Sequence, residues 1–215
     1  MIVEFLINAL MAATPYHGDN EAGEVREARM ETIAMSIVYA AENTPYPASK
    51  RELVAALYKL GKFESRYAEY VHDMRCHEGP YGACDFGRAV GNWQTWLDSN
   101  ERRLVKGKDY QSTAYAALFA AEKFAKARRA CGTLEGAFAM YATGKRCEWK
   151  GAPRRARETL AFMERMPWVV VDSASREGVL SYGHHRQSSR SQAQVRKAQQ
   201  LESEHDDAGA VRFAA

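Results

Sequence analysis

Residues 50–96, KRELVAALYKLGKFESRYAEYVHDMRCHEGPYGACDFGRAVGNWQTW, carry most of the information about the fold and the function. Apolar residues recur three or four positions apart near its start, which is typical of one buried face of a helix: Leu53, Ala56, Leu57 and Leu60. Ser49 is a fair N-cap, because a serine hydroxyl can accept a hydrogen bond from an N–H of the first turn. We therefore predict a helix over 50–61, loosened by Gly61 and followed directly by Glu64.

The acidic residue after this helix, Glu64, is the first candidate for chemistry. It follows a buried helical face and stands beside Phe63. A carboxyl group that donates a proton near neutral pH needs such a partly apolar environment, because desolvation favours the protonated form. Glutamate is also common at solvated helix ends. Glu64 alone therefore leaves a purely structural role open.

Composition limits the class of protein. The chain has 215 residues with 46% hydrophobic content, enough for one domain with a core plus appendages. Its 30 basic and 27 acidic residues leave a net charge of +3, so we expect no dedicated binding of nucleic acid. The apolar stretch 2–13 is too short to span a membrane and contains Glu4. It lacks the basic start of a secretory signal and predicts an amphipathic helix that needs a partner surface.

The rest of the chain predicts further helices and almost no strand. Spacing, caps and stops indicate helices over 24–41, from a cap at Ser112 or Thr113 to about Ala130, from a cap at Thr133 to Gly144, and from Pro153 to about Met166. Residues 72–92 are rich in glycine and predict an irregular loop. Residues 168–171 form the one convincing β-type run. From 173 onward the polar composition is typical of a tail that cannot bury a core alone.

The four cysteines form two local pairs along the sequence: Cys76 with Cys84, and Cys131 with Cys147. In an oxidising compartment this pattern favours a disulfide within each pair, although three connectivities are compatible with four cysteines. Zinc binding is a competing interpretation, because His72 and His77 accompany the first pair. The spacing matches no paired CxxC or HxxxH pattern, so we expect no metal. Reduced thiols would fit a cytosolic protein.

Three segments follow one another along the chain in this order: Phe63-Glu64-Ser65-Arg66-Tyr67, Gly91-Asn92-Trp93-Gln94 and Met140-Tyr141-Ala142-Thr143-Gly144. This order resembles the lysozyme-like superfamily, and within it the soluble lytic transglycosylases and related phage peptidoglycan hydrolases. Those enzymes carry a Glu-Ser pair with a following aromatic, a Gly-x-x-Gln segment and an Ala-Tyr-Asn-x-Gly segment. The resemblance covers residues 50–165 and extends to a subgroup with a cysteine-flanked loop and a Cys-x-Trp, here Cys147-Glu148-Trp149. Ala142 replaces the motif Asn, and Met140 replaces its leading Ala.

The resemblance implies a mainly α, lysozyme-like (lytic transglycosylase) helical domain over 49–172, with an N-terminal helical extension at 1–48 and a polar C-terminal tail at 173–215. Glu64 would be the single acid and base that cleaves the bond between MurNAc and GlcNAc in a peptidoglycan glycan strand. The muramoyl 6-hydroxyl would close the ring to a 1,6-anhydro end, so we expect no cofactor. A hydrolase would add a second carboxylate, for which Asp73, Glu78 and Asp85 are candidates by proximity only.

The resemblance also assigns substrate binding to four residues, each of which has a structural alternative. Ser65 would hold the acid or contact sugar, or else form a helix-end hydrogen bond. Gln94 would bind an N-acetyl or hydroxyl group, or else order its loop. Tyr141 would reach the scissile bond, or else pack beside Phe138, and Tyr67 matches an aromatic that more often packs than contacts substrate. Three tryptophans can stack on sugar rings or pack in the core: Trp93, Trp96 and Trp149.

By resemblance, the protein acts from a phage virion, or in the bacterial periplasm or outside the cell. The lack of a recognisable signal peptide agrees with a phage product that is carried in the virion or released by a holin. The alternative is a structural virion or envelope protein with a degenerate lysozyme-like domain, which assembles with other virion proteins through residues 1–13 and 173–215. A third interpretation is a helical interaction module in which the order of the segments is chance.

Overall fold

Helices make up most of the described structure, which confirms the prediction of a mainly α fold. The computed structural model describes residues 1–14, 21–73, 75, 84, 89–105 and 109–167. In chain order the elements are α1 (Ile2–Ala13), α2 (Gly23–Asn43), α3 (Lys50–Glu64), α4 (Glu69–His72), β1 (Ala89–Val90), β2 (Thr95–Trp96), α5 (Ser99–Leu104), α6 (Tyr110–Cys131), α7 (Leu134–Thr143) and α8 (Ala152–Arg165). The two short strands form an antiparallel hairpin, in which β1 lies at the end of the predicted loop 72–92 and β2 follows that loop.

Helix α3 begins as predicted but ends later. The Ser49 hydroxyl accepts a hydrogen bond from the Glu52 N–H at 3.1 Å, which is the expected N-cap. The helix then continues through Gly61 to Glu64. A Cβ at Gly61 would lie only 2.4 Å from Cε1 of Tyr67. The glycine is therefore needed for close packing against that ring, and the sequence wrongly suggested that it loosens the helix.

Helix α6 starts earlier than predicted. Its N-cap is Asp109, whose carboxylate accepts a hydrogen bond from the Ser112 N–H at 2.8 Å. The prediction of a cap at Ser112 or Thr113 is wrong, because both lie inside the first turn and are buried. An aspartate fulfils the same capping role as a serine or threonine, and the sequence prediction did not consider Asp109.

The predicted ends of the last two helices agree with the structure. Thr133 caps α7, because its hydroxyl accepts a hydrogen bond from the Gly136 N–H at 2.9 Å. Gly144 closes the same helix with φ 75°, a left-handed conformation that suits glycine. Pro153 occupies the first turn of α8, where its missing N–H costs no hydrogen bond.

One apolar core runs from α1 to α8. Helices α2 and α6 pack along each other, with α7 against α6 and α3 against α8. The two largest fully buried side chains, Trp93 and Tyr67, lie in turns, and the others come from the long helices: Leu6, Leu10, Met30, Ile33, Ile37, Leu53, Leu57, Leu60, Phe124 and Phe138. Residues 1–48, predicted as an extension, thus contribute two helices to the same core as the residues that follow.

The partner surface of α1 lies within the chain itself. Phe5 packs on Phe162 with ring centroids 5.5 Å apart, and the Tyr58 hydroxyl donates to the Ala9 carbonyl at 3.1 Å. The amphipathic helix therefore finds a partner surface within the chain, and its docking on other virion proteins stays a prediction. No helix in the described part of the chain is both long and apolar enough to cross a membrane. Residues 168–171 and the predicted tail 173–215 lie outside the described residues.

Candidate active site

Glu64 is the last residue of α3, and Ser65 fixes the end of that helix. The Ser65 N–H and hydroxyl both donate to the Gly61 carbonyl, each at 3.0 Å. The same hydroxyl accepts a hydrogen bond from the Tyr67 N–H at 3.0 Å. Ser65 thus forms helix-end hydrogen bonds, the structural role that the sequence left open beside a contact with sugar. Through these bonds it orients the chain on both sides of Glu64.

The chain reverses direction directly after Glu64. Arg66 and Tyr67 adopt positive φ values of 53° and 57°, which non-glycine residues rarely do. The reversal turns the Tyr67 ring under α3, where its hydroxyl donates to the Tyr58 carbonyl, and burial raises the pKa of Tyr67 well above its ordinary value. Because the Tyr67 side chain is fully buried, its placement does not support the predicted contact with substrate and gives it a packing role.

A buried ion pair, not predicted from the sequence, holds this turn in place. Arg29 of α2 binds both carboxylate oxygens of Glu21, each at 2.8 Å, and both side chains are 6% exposed. The remaining Arg29 nitrogen, Nη1, donates to the Tyr67 carbonyl at 2.7 Å. No sequence pattern indicated this pair, because Glu21 lies in an irregular segment before the helix. The pair ties α2 to the backbone three residues after Glu64.

The hairpin of β1 and β2 carries the second motif. Trp93 is fully buried, and its Nε1 donates to the Leu57 carbonyl at 2.9 Å, which fixes the hairpin against α3. Gln94 has φ 47°, and its Nε2 donates to the Gly91 carbonyl at 2.9 Å. Its backbone N–H donates to the same carbonyl at 3.0 Å. The Gln94 amide therefore orders its own turn, and its predicted sugar contact stays a prediction.

Tyr141 joins the third motif to this hairpin. Its hydroxyl donates to the Trp93 carbonyl at 2.9 Å and shares a hydrogen bond with the Thr95 hydroxyl at 2.9 Å. Burial raises the pKa of Tyr141; the negative charge of Glu64 raises it further, whereas the Thr95 hydrogen bond and the Arg155 charge lower it. The charges of Glu64 and Arg155 therefore both act on the Tyr141 hydroxyl.

Arg155, in the first turns of α8, is the direct partner of Glu64. Its Nη1 donates to Glu64 Oε1 in an ion pair. The guanidinium carbon lies 4.9 Å from the ring centre of Phe63 and 4.8 Å from that of Trp149. The Arg155 side chain is 13% exposed and that of Glu64 is 23% exposed. Sequence analysis missed Arg155, because it belongs to a run of basic residues in which no member stands out.

The second cysteine pair braces the segment beside this ion pair. Cys131 and Cys147 form a disulfide with Cα atoms 5.5 Å apart, as predicted. Cys147 precedes Trp149, so the bridge restrains the chain that brings Trp149 to Arg155. Cys76 lies outside the described residues, so its pairing with Cys84 stays a prediction. Of the three tryptophans, Trp93 is core, Trp149 is half-buried against Arg155, and Trp96 is 58% exposed.

Of the three loop carboxylates considered for a hydrolase, only Asp73 is described. It pairs with His72 at 3.0 Å and with Arg75 at 3.7 Å, and the His72 Nε2 lies 3.4 Å from the Thr113 hydroxyl. Glu78 and Asp85 lie outside the described residues, as does His77. The described part of the chain contains no group of three side chains that could hold a metal ion. Within it, Arg155 is the one hydrogen-bond or ion-pair partner of the Glu64 carboxylate.

Comparison of the chain with models of protein families, with curated proteins and with solved structures finds no match in any of the three. The chemistry of the site therefore has to come from its own residues: one carboxylate at a helix end, one guanidinium against it, and the hydroxyl of Tyr141, which extends from α7 to the adjoining hairpin.

Proposed function

We propose that this chain is a lytic transglycosylase that cleaves the bond between MurNAc and GlcNAc in peptidoglycan glycan strands, with Glu64 as its single acid and base. One observation carries the proposal. Three segments that are far apart in the sequence meet: Tyr141 binds the hairpin that contains Gln94, and it lies within electrostatic reach of Glu64. The order of the three segments resembles that of lysozyme-like enzymes, and for this reason we assign cleavage of the glycosidic bond to the place where they meet.

The first step requires a protonated carboxyl group. Glu64 donates its proton to the glycosidic oxygen, the bond from that oxygen to the anomeric carbon breaks, and GlcNAc leaves with a free 4-hydroxyl. Positive charge develops on the sugar ring as the bond breaks. The ionised Glu64 then stabilises that charge from one side.

The second step needs no water. The ionised Glu64 accepts the proton of the muramoyl 6-hydroxyl, and the 6-oxygen forms a bond to the anomeric carbon. The product is a 1,6-anhydromuramoyl end, and Glu64 is protonated again for the next cycle. Because the substrate supplies its own nucleophile, one carboxylate is sufficient.

The surrounding residues keep Glu64 in place during both steps. Ser65 closes the helix end, and Tyr67 with Arg29 fixes the turn that follows. Tyr141 positions the hairpin through two hydrogen bonds. The proposed contacts with sugar are those of Gln94 and of the exposed Trp96, whose ring offers an apolar face of the kind on which sugars stack.

The second candidate is a structural virion or envelope protein with a degenerate lysozyme-like domain. The ion pair between Glu64 and Arg155 favours it, because a carboxylate fixed by a guanidinium can serve packing alone. The motif asparagine is also replaced by Ala142, which is exposed. In this account the partner proteins would contact residues 173–215. In either account we propose a phage virion, or the bacterial periplasm or exterior, as the place of action.

The deciding experiment is a product analysis. Purified full-length chain is incubated with insoluble peptidoglycan, and the soluble fragments are identified by mass spectrometry. We expect muropeptides with 1,6-anhydro ends, each lighter by one water than a hydrolytic product. Fragments with reducing ends would identify a hydrolase instead. A lack of any fragment, with assembly of the chain onto virion proteins, would favour the structural candidate.

A further inference from the structure

The guanidinium of Arg155 is fixed in position but uses few of its donors. Phe63 and Trp149 flank it at 4.9 and 4.8 Å, and Nη1 binds Glu64. A guanidinium has five N–H donors in a planar fork that matches a carboxylate. Within the described residues, Glu64 is the one acceptor that the guanidinium binds. Arg155 is therefore a preorganised anion-binding group with donor capacity left over.

The chain around Arg155 is strongly basic. Between residues 145 and 157 there are six basic residues and one acidic residue, Glu148. Five of the basic side chains belong to exposed residues: Lys145, Arg146, Lys150, Arg154 and Arg157. Clustered exposed charges of one sign raise the local concentration of ligands of the opposite sign. An anionic polymer would therefore be attracted to the segment that holds Arg155.

The ion pair conflicts with the proposed chemistry unless a third group intervenes. A general acid must present its carboxyl group to the glycosidic oxygen when the bond breaks, whereas Oε1 of Glu64 already accepts a hydrogen bond from Nη1 of Arg155. An anion that takes over Arg155 would remove the conflict. Peptidoglycan provides one, because MurNAc carries a lactyl carboxyl group, which is free on peptide-stripped strands, and peptide-bearing strands carry carboxylates on their stems.

We infer that Arg155 forms a carboxylate-binding subsite, in which an acidic group of the glycan strand replaces Glu64 as the partner of the guanidinium. The inference rests on the proposed function for the identity of the strand. Once the strand carboxylate is bound, Arg155 no longer holds the Glu64 carboxyl group, which is then free to contact the glycosidic oxygen. The subsite thus couples recognition of an acidic strand to the release of the proton donor, and a neutral chitin strand would leave the ion pair closed.

The test is a binding measurement that needs no turnover. Isothermal titration calorimetry of the full-length chain compares MurNAc–GlcNAc oligosaccharides with free lactyl carboxylates, the same oligosaccharides converted to methyl amides, and peptide-bearing oligosaccharides. The variants are Glu64→Gln, Arg155→Gln and Arg155→Lys. Arg165→Gln is the matched control, since it removes the same charge from the same helix about 15 Å away.

We expect Glu64→Gln to bind the free carboxylate form about tenfold more tightly than the wild type, because Glu64 no longer competes for Arg155. Arg155→Gln should weaken that binding about tenfold, with partial recovery in Arg155→Lys and no change in Arg165→Gln. Stronger binding of the peptide-bearing form than of the stripped form would identify the stem as the source of the carboxylate.

Equal affinity for the carboxylate and methyl amide forms would overturn the inference, as would Glu64→Gln binding no tighter than the wild type. If Arg155→Gln fails to fold, the comparison of the two ligand forms with wild type and Glu64→Gln still decides. Failure of the proposed function would appear separately, as a wild-type chain that binds the carboxylate form but releases no 1,6-anhydro product.

Discussion

Replacement of Gly61 by alanine tests the packing that sets the position of Glu64. The added Cβ would lie 2.4 Å from Cε1, 2.5 Å from Cζ and 2.6 Å from the hydroxyl oxygen of Tyr67. The Tyr67 ring cannot easily yield, because it is fully buried and its hydroxyl and carbonyl are both hydrogen-bonded. The variant must therefore shift either the ring or the end of α3.

The expected size of the effect follows from two opposing contributions. Overpacking of a buried site costs about 3 kcal/mol when the neighbour is rigid. Alanine stabilises a helix interior by about 1 kcal/mol relative to glycine. We therefore expect Gly61→Ala to lower the free energy of unfolding by about 2 kcal/mol, and to reduce any cleavage activity because Glu64 lies three residues further on.

Urea denaturation of wild type and variant measures this change. Gly23→Ala is the control, because a Cβ at Gly23 meets nothing within 4 Å and should leave stability equal or slightly higher. In a Tyr67→Ala background the clash is gone, so Gly61→Ala should become stabilising by up to about 1 kcal/mol. A Gly61→Ala chain as stable as the wild type would refute the placement of the Tyr67 ring under α3.

Two further predictions concern stability. Loss of the Cys131–Cys147 bridge, which spans 16 residues of sequence, should cost about 3 kcal/mol; urea denaturation of the Cys131→Ser, Cys147→Ser double variant measures it, and an unchanged midpoint would contradict the expected gain from loop closure. Burial raises the pKa of Tyr58 to about 12 from 10.0. The stability that the folded state gains from protonated Tyr58 is therefore fully present below pH 10 and is lost as the pH rises from 10 to 12. Tyr58→Phe should therefore lose less stability than wild type between pH 9 and pH 11.5, and equal losses would show that Tyr58 titrates alike in both states.

Local signals predicted the helices well but said little about what holds them together. Ser49, Thr133 and Gly144 act through neighbours within a few positions, so their roles as caps and stops could be read from the sequence. The apolar spacing of α1 was equally clear, yet spacing cannot tell whether the partner surface is internal. That distinction depends on contacts such as Phe5 with Phe162, which are distant in sequence.

The candidate site likewise contains residues that the sequence predicted and a residue, Arg155, that it did not. The motif order selected Glu64 and Tyr141 as candidates, and in the structure the charge of Glu64 acts on the Tyr141 hydroxyl. The partner of Glu64 could not be predicted, because Arg155 is 91 residues away and lies among other arginines. The role of Gly61 was predicted wrongly for a related reason. The glycine leaves room for the Tyr67 ring, and the turn that places this ring has two residues with positive φ, which the sequence did not indicate.

Glu64→Gln is the substitution that tests the central claim most directly, because it removes the proton and the charge while keeping the size of the side chain. Glu135→Gln is the control, since Glu135 is exposed in the first turn of α7. Both variants and the wild type are incubated with peptidoglycan, and the 1,6-anhydromuropeptides are quantified by mass spectrometry. The account predicts these products from the wild type and from Glu135→Gln, and none above background from Glu64→Gln. Equal amounts from Glu64→Gln, or no product from the wild type, would contradict it.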